Sequence, residues 1–230
     1  MCTVVVRRSG DRPAEVLAVR DELTSRDFDV PARWWPQFPD VVGGRDRAAG
    51  GTWCATHVGT GVTALVLNRH HERPAAPGAA SRGVLPLLGA VHGSGWTSHV
   101  DLAGMAGFLL VLSTPDRLVS WEFDGDRLVE TQHPEGTTVF TSGGPEDRKA
   151  DRWRASFVAA DFPAGWRGLV QGQPPADDLS ALVVRHERDG QVYGTVFAET
   201  IDARPGLLTL EHSRRPWSAD AWDTAAFDAG

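Results

Sequence analysis

Cysteine is scarce in this sequence, which contains only Cys2 and Cys54 among its 230 residues. Two cysteines are too few for the disulfide framework that is typical of small secreted proteins. The opening residues, Met-Cys-Thr-Val-Val-Val-Arg-Arg, also lack the charged segment and longer apolar run of a secretory signal. We therefore expect a cytoplasmic protein whose stability does not depend on a disulfide.

Long apolar segments are absent as well, and none approaches the roughly 20 residues that a membrane-spanning helix needs. The formal net charge of −7 argues against binding to nucleic acid. Lysine occurs once, at Lys149, and we interpret the preference for arginine mainly as compositional bias. These features predict neither membrane insertion nor a nucleic-acid partner, and they leave the oligomeric state open.

The length of the chain suits one large domain or two small ones. We find no internal repeat and no clean domain boundary, so we predict a single domain over residues 1–230. A domain of this size buries roughly 70% of the surface that its unfolded chain exposes. It therefore needs no metal ion or disulfide to fold.

Short apolar segments separated by glycine and proline predict a protein rich in strands. Strands are expected over residues 2–7, 15–20, 52–57, 62–68, 107–112, 118–123, 128–131, 137–141, 192–201 and 207–211. Helices are expected near residues 98–105 and over 145–160. The first four strands are expected to form one antiparallel sheet. Residues 24–40 are predicted to be irregular and residues 69–82 to form a mobile loop. This pattern indicates an α+β fold of two packed sheets flanked by helices.

Cys2 is the most unusual candidate for chemistry. Aminopeptidases remove the initiator Met when the next residue is small, which would leave an α-amine and a thiol on the same residue. An amine with a pKa of about 7.7–8.0 can accept the proton of a thiol with a pKa of about 8.5. The pair is thus a complete nucleophile and base. The alternative is an inert cysteine that is buried in the first strand.

A second candidate is the charged segment Arg20-Asp21-Glu22 at the end of the second predicted strand. If the first two strands form a hairpin, this segment lies near the N-terminus. Arg20 can then lower the pKa of the thiol or hold a substrate carboxylate, and Asp21 can hold the α-amine. Both side chains face Cys2 only if the strand ends or bulges there. The alternative is a charged strand end in solvent.

Other polar groups are weak candidates for a metal or nucleotide site. Cys54 and His57 have ligand-like spacing but lack a second pair of ligands. The glycine pairs at residues 43–44 and 50–51 lack the phosphate-loop pattern. The remaining groups favour a solvated turn, surface charges or the acidic start of a helix; they are His70-His71-Glu72, Asp177-Asp178 and Glu146-Asp147. We expect no metal site and no bound cofactor.

Several segments together resemble a known family. Met1-Cys2-Thr3 opens the chain, Val19-Arg20-Asp21-Glu22 follows the first hairpin, and residues 43–53 contain Gly-Gly-Thr-Trp. These segments resemble the NRDE-motif family, also called the transport and Golgi organisation protein 2 family. In that family, Cys at position 2 precedes an Asn-Arg-Asp-Glu motif. Similar segments continue over residues 25–26, 34–35, 62–69, 81–83, 107–110 and 193–195.

The resemblance implies the fold of the N-terminal-nucleophile hydrolases, an αββα sandwich of two antiparallel sheets flanked by helices. It also implies hydrolysis of a small acyl-amide. Cys2 would then be the nucleophile, its own α-amine the base, and Arg20 and Asp21 would complete the site. By the same resemblance, Asn68 would donate to the oxyanion.

The resemblance implies a second function too, because members of the family have been linked to haem handling. On this hypothesis the protein binds and carries haem or an acyl or lipid metabolite without catalysis. The Cys2 thiolate or a loop histidine would then be an axial ligand of haem. Such a carrier needs a wide apolar cleft and tolerates a retained Met1.

Three positions differ from the family pattern, and each lacks an expected polar group. Val19 replaces the Asn of the Asn-Arg-Asp-Glu motif, Ser142 stands near an expected amide, and Val196 replaces the Arg that follows Tyr-Gly-Thr. A third hypothesis therefore retains the fold with a decayed site.

Overall fold

The protein is built from two antiparallel β-sheets, and the computed structural model describes residues 2–10, 12–69, 74–143 and 147–229. In these ranges the strands, β1 to β14 in chain order, cover Thr3–Arg8, Glu15–Leu23, Phe28–Ala32, Val41–Asp46, Cys54–His57, Val62–Asn68, Phe108–Ser113, Leu118–Phe123, Leu128–His133, Gly136–Thr141, Arg185–Arg188, Gln191–Arg204, Leu207–Ser213 and Asp223–Asp228. The α-helices, α1 to α3, cover Leu85–His92, Arg148–Ala159 and Ala164–Gln171. Short 3₁₀ helices cover Arg82–Val84, Gly93–His99 and Ala219–Ala221.

The two sheets differ in how the chain builds them. Sheet I has the strand order β10-β1-β2-β12-β13-β14, with β11 also paired to β12, so it joins the two ends of the sequence. Sheet II contains β3 to β9 in sequence order. In sheet I, β2 lies between β1 and β12 and pairs with both. The segment that carries Arg20 and Asp21 is therefore in the interior of a sheet.

Alternation of side chains along the strands explains why both faces of each sheet are buried. On β1, Val4 and Val6 pack into the core between the sheets, whereas Val5 packs beneath α2 and α3. Helix α1 covers the outer face of sheet II, where Ala55 and Ala64 contribute to the same apolar cluster. The order of layers is helix, sheet, sheet, helix. The predicted αββα sandwich is thus confirmed.

Helix α2 lies where the sequence predicts a helix over residues 145–160, and its first two predicted residues lie outside the described ranges. Asp147 caps it, because the Asp147 carboxylate accepts a hydrogen bond from the Lys149 N–H at 2.9 Å. One helix face is buried against sheet I through Trp153 and Phe157, four residues apart. With 12 residues α2 is the longest described helix. None of the described helices is long and apolar enough to cross a membrane.

The helix predicted near residues 98–105 is wrong. Its first residues belong to the 3₁₀ helix Gly93–His99, and the rest has no regular structure. The true helix, α1, lies upstream and ends before Gly93, whose φ of 57° breaks the helical path. Six of the eight residues of α1 are buried. A helix that is apolar on most sides shows little periodicity, which explains why the pattern missed it.

The expectation that the first four predicted strands share one sheet is also wrong. Strands β1 and β2 belong to sheet I, while β5 and β6 belong to sheet II. The chain passes between the sheets within residues 24–40, where β3 forms an edge of sheet II instead of irregular structure. Pro31 is accommodated in β3 because an edge strand needs fewer backbone donors.

Of the predicted loop, residues 74–81 contain no helix or strand, and residues 70–73 lie outside the described ranges.

Candidate active site

A polar cavity of about 320 Å³ opens at one end of the sandwich, between the two sheets. Four predicted site residues that are distant in sequence, Cys2, Arg20, Asp21 and Asn68, all line it. The other described lining residues are Glu22, Arg26, Asp46, Ala49, Thr52, Trp53, Val66, Ser81, Arg82 and Gly83. Six of these 14 residues carry a charge, so the cavity suits a small polar ligand.

The Cys2 sulfur lies against the backbone of Asp21 in β2. The Cys2 thiol donates a hydrogen bond to the Asp21 carbonyl at 3.3 Å, and the Asp21 N–H donates to the sulfur at 3.4 Å. Burial and the Asp21 carboxylate raise the pKa of the Cys2 thiol, although the Asp21 N–H and Arg20 oppose that shift. The thiol is therefore protonated at neutral pH, and a nucleophilic role requires a base. The described residues that line the cavity include no histidine.

Arg20 and Asp21 extend to opposite faces of sheet I, as strand alternation requires. The Arg20 guanidinium lies on the inner face, 3.2 Å from the Asp46 carboxylate of sheet II. The Asp21 carboxylate lies on the helix-covered face, 3.6 Å from Lys149 Nζ of α2. The two side chains therefore do not both turn towards the Cys2 sulfur. The alternative of a solvated strand end is also wrong, because Arg20 is 6% exposed and Asp21 is 2% exposed.

The segment Tyr193-Gly194-Thr195 of β12 holds Asp21 at two points. Thr195 Oγ1 donates to Asp21 Oδ1 at 2.5 Å, and the Tyr193 hydroxyl donates to the Asp21 carbonyl at 2.9 Å. Burial, with the nearby Cys2 and Asp21, raises the pKa of Tyr193, so this hydroxyl remains a neutral donor.

The register between β12 and β2 shifts between Thr195 and Phe197. Val196 is thus the residue of a β-bulge opposite the Arg20-Asp21 pair.

Asp46, at the end of β4, connects the charged groups of the cavity wall. It accepts hydrogen bonds from Arg26 Nε at 2.6 Å, from Arg20 Nη2 at 3.2 Å and from the backbone N–H groups of Ala48 and Ala49. Burial opposes ionisation, but the Arg26 hydrogen bond and these donors keep the pKa of Asp46 below its ordinary value. The Arg20 guanidinium also lies 4.4 Å from the centre of the Trp53 ring. Arg20 is consequently fixed on two sides.

Asn68 and Ser142 stand at two positions for which the family pattern predicts polar side chains. Asn68 ends β6 and lines the cavity, and its side-chain amide makes no hydrogen bond to another described residue. Ser142 is buried, and its backbone N–H donates to the Cys2 carbonyl at 3.2 Å. Of these two, only Asn68 is placed to donate to a group bound in the cavity.

The close approach of Gly51 to Gly83 forms part of the cavity wall. A Cβ atom on Gly51 would lie 2.5 Å from the Gly83 carbonyl, and the neighbouring Thr52 N–H donates to that carbonyl at 2.8 Å. Gly51→Ala is therefore expected to lower the free energy of unfolding by about 1–3 kcal/mol. Urea denaturation measures this, with Gly95→Ala as the control because no atom lies within 4 Å of a Cβ there. Equal stability of the two variants would contradict the close packing.

The polar groups that are weak candidates in the sequence lie elsewhere in the structure. Cys54 packs in the core between the sheets and His57 lies at the far end of the same short strand, and the described residues contain no group of three metal-binding side chains. Asp178 pairs with Arg152 at 2.8 Å on the surface. Residues 70–72, which include the two adjacent histidines, lie outside the described ranges, as do Met1 and Glu146.

Several residues that the structure brings to the site are not among the candidates that the sequence predicts. Asp46, Trp53 and Arg82 lie in segments that carry the family resemblance, over residues 43–53 and 81–83. That resemblance was the only available signal, because the three residues come from separate elements. Lys149 showed no signal beyond being the only lysine.

The comparison with solved structures concerns the fold alone. The structure superposes on penicillin V acylase from Agrobacterium tumefaciens with a TM-score of 0.52, at 13% sequence identity, covering 100% of this chain and 92% of that one. A Caenorhabditis elegans orthologue of N-acylethanolamine-hydrolyzing acid amidase gives a TM-score of 0.49, with 9% identity and full coverage of both chains. The fold is that of the N-terminal-nucleophile hydrolases.

The sequence comparison gives the family. The profile of the family described as Transport and Golgi organisation 2 matches residues 1–134, which is more than half of the chain. This protein belongs to that family, as the resemblance of its opening segments predicts. No curated protein matches the sequence.

Proposed function

We propose that this protein is a cysteine hydrolase that cleaves the C–N bond of a small acyl-amide, with Cys2 as its nucleophile. The observation that carries the proposal is the place of the Cys2 sulfur, in a polar cavity beside Arg20 and Asn68. The fold agrees with such a reaction, since its structural relative is an acylase. The polar wall also favours hydrolysis over transport of haem or lipid, because an apolar cargo requires an apolar cleft.

The proposed reaction begins with removal of Met1, which makes Cys2 the first residue. The α-amine takes the thiol proton, and the sulfur attacks the carbonyl carbon of the amide to form a C–S bond. The C–N bond then breaks, and the amine leaving group takes the proton that the α-amine holds. Water attacks the resulting thioester, which releases the carboxylic acid and restores the thiol.

Each proposed partner has a role that follows from its position. The Asn68 amide would donate to the oxyanion that forms at the carbonyl, since it has no other described partner. Arg20 would stabilise the thiolate, because its charge opposes the rise in the pKa of the Cys2 thiol that burial and Asp21 cause. Asp21 would orient the α-amine from its anchored position between Thr195 and Lys149.

The first test is the intact mass of the purified protein before and after treatment with iodoacetamide at pH 7. We expect loss of the Met1 mass and one rapid alkylation at Cys2. Cys54 is a matched internal control, because burial and Glu199 raise the pKa of its thiol well above the ordinary value. Alkylation of Cys2 is expected to be at least roughly tenfold faster than that of Cys54.

The variants Cys2→Ala and Cys54→Ala assign each adduct to its residue. The same proteins then serve for screening small acyl-amides by detection of the released amine, with Cys2→Ala as the blank. A retained Met1, or a Cys2 that reacts no faster than Cys54, would remove the basis of the mechanism. Turnover that persists in Cys2→Ala would do the same.

A further inference from the structure

Among the described residues of the cavity wall, the positive and negative charges do not balance, and the excess positive charge lies at Arg82. Arg20 and Arg26 share the Asp46 carboxylate, and both lie within 4 Å of Glu22. Two cations thus face two carboxylates. Asp21, which also lines the cavity, has its carboxylate beside Lys149 on the opposite face of sheet I.

Arg82 has no such partner, since none of its nitrogen atoms lies within 4 Å of a carboxylate oxygen among the described residues. It begins a 3₁₀ helix that Ser81 caps, so the backbone holds its position. Its Nη1 donates to the Gly107 carbonyl at 2.8 Å, which fixes one edge of the guanidinium. The other nitrogens make no hydrogen bond to a described residue. Among the described residues, Arg82 is therefore a cavity-lining cation that is held at Nη1 and has no carboxylate within 4 Å.

Partial burial makes this cation a stronger attractor for an anion than a surface arginine. Burial lowers the pKa of Arg82, while Glu22 partly compensates, which shows that the charge has lost part of its hydration. A guanidinium with one edge fixed and one edge open matches the geometry of a carboxylate. The same cavity contains the Cys2 sulfur.

We propose that the cavity selects amides that carry a carboxylate, and that Arg82 is the residue that binds it. The proposal rests on the proposed hydrolase function, because that function would make the bound amide a substrate. It is nevertheless a statement about binding alone. N-acyl amino acids are the simplest compounds with this chemistry, because one small molecule contains both the amide and the anion. Arg20 is not available for this role, since Asp46 and Glu22 already neutralise it.

The test measures binding without turnover, in the Cys2→Ala protein. Isothermal titration calorimetry compares N-hexanoylglycine with its neutral analogue N-hexanoylglycinamide. A charge-assisted hydrogen bond contributes about 1.5–3 kcal/mol, so we expect the carboxylate to bind roughly 10- to 100-fold more tightly. Arg82→Gln is expected to abolish this preference and to leave the affinity for the neutral amide nearly unchanged.

Two further variants make the result specific. Arg82→Lys retains the charge without the planar fork and is expected to keep part of the preference. Arg127→Gln is the control, because Arg127 is exposed and does not line the cavity. Urea denaturation confirms that each variant is folded before titration.

The outcomes separate this proposal from the hydrolase function. Equal binding of the two ligands, or a carboxylate preference that survives in Arg82→Gln, would overturn the role of Arg82. A carboxylate preference that depends on Arg82 would support it even if the wild-type protein hydrolyses neither compound. In that case the cavity is an anion-selective binding site, and the hydrolase proposal alone fails.

Discussion

Replacing Lys149 with methionine is expected to lower the free energy of unfolding by about 3–5 kcal/mol. Lys149 is completely buried, and its Nζ lies 3.6 Å from Asp21 Oδ2, which is also buried. Methionine has a similar length but no charge, so the Asp21 carboxylate would remain in the interior without this ammonium group. The measurement is the midpoint of urea denaturation at pH 7. The midpoints are compared where the unfolding free energies of the two proteins have the same slope against urea concentration.

A double-mutant cycle separates the ion pair from the packing of the side chain. Asp21→Asn alone removes the negative charge of this ion pair, whereas the double variant Lys149→Met/Asp21→Asn removes both charges. We expect the double variant to be less destabilised than the sum of the single ones. Arg154→Met is the matched control on α2, since Arg154 is exposed, and should change stability by no more than about 0.5 kcal/mol. A loss below about 1 kcal/mol in Lys149→Met would show that the pair is not important for stability.

Replacing Lys149 should also affect the candidate site, because Asp21 connects Lys149 with Cys2. The Lys149 ammonium group holds the Asp21 carboxylate. The carbonyl and the N–H of Asp21 each form a hydrogen bond with the Cys2 sulfur. Loss of Lys149 should therefore change the alkylation rate of Cys2 even in solutions where the protein is still folded. An unchanged rate would show that the two faces of sheet I act independently.

Changing Glu199 to glutamine is expected to stabilise the protein at pH 8 by about 3 kcal/mol. Glu199 lies in β12 and is 2% exposed. Burial raises its pKa to about 7 from 4.5, although the neighbouring Cys54 and Trp53 oppose the shift. Between these two pH values the folded protein holds a proton that the unfolded chain has released. Stability of the wild type therefore falls as the pH rises from about 4.5 to 7.

Glutamine has the same shape as glutamic acid but carries no charge, so this pH dependence should disappear. The two proteins should be similar in stability near pH 4.5 and should diverge up to about pH 7. Urea denaturation at several pH values measures the difference in the free energy of unfolding between the two proteins. The contributions of all other titratable groups cancel in that difference. Glu187→Gln, an exposed glutamate on β11, is the control and should follow the wild type. Parallel curves for wild type and Glu199→Gln would contradict a buried, protonated Glu199.

Much of the fold could be predicted from the sequence. The apolar runs of β1 and β2 predict two strands that form an opening hairpin, and that hairpin is present. The partners of those strands were not predictable, because β2 pairs with β12, where the paired residues lie 170 or more positions further along the chain. Short local patterns also failed for α1, whose buried residues lie on most sides of the helix.

The candidate site divides in the same way. Cys2, Arg20, Asp21 and Asn68 were selected from the sequence, and all four line one cavity. Their orientations were not predictable. The bulge beside these residues lies on β12 at Val196 and not on β2, and the Asp21 carboxylate faces Lys149 instead of the Cys2 sulfur.

The sequence by itself determined that this is a strand-rich α+β protein of the Transport and Golgi organisation 2 family, because strand periodicity and local motifs are properties of neighbouring residues. Only the tertiary structure decided which charges are neutralised. Asp46 meets Arg20 and Arg26 in the cavity wall, Lys149 meets Asp21 beneath α2, and Arg82 lines the cavity with no carboxylate within 4 Å among the described residues. The physical reason is that electrostatic pairing depends on distance in space and on burial, and neither is encoded in the spacing of residues along the chain.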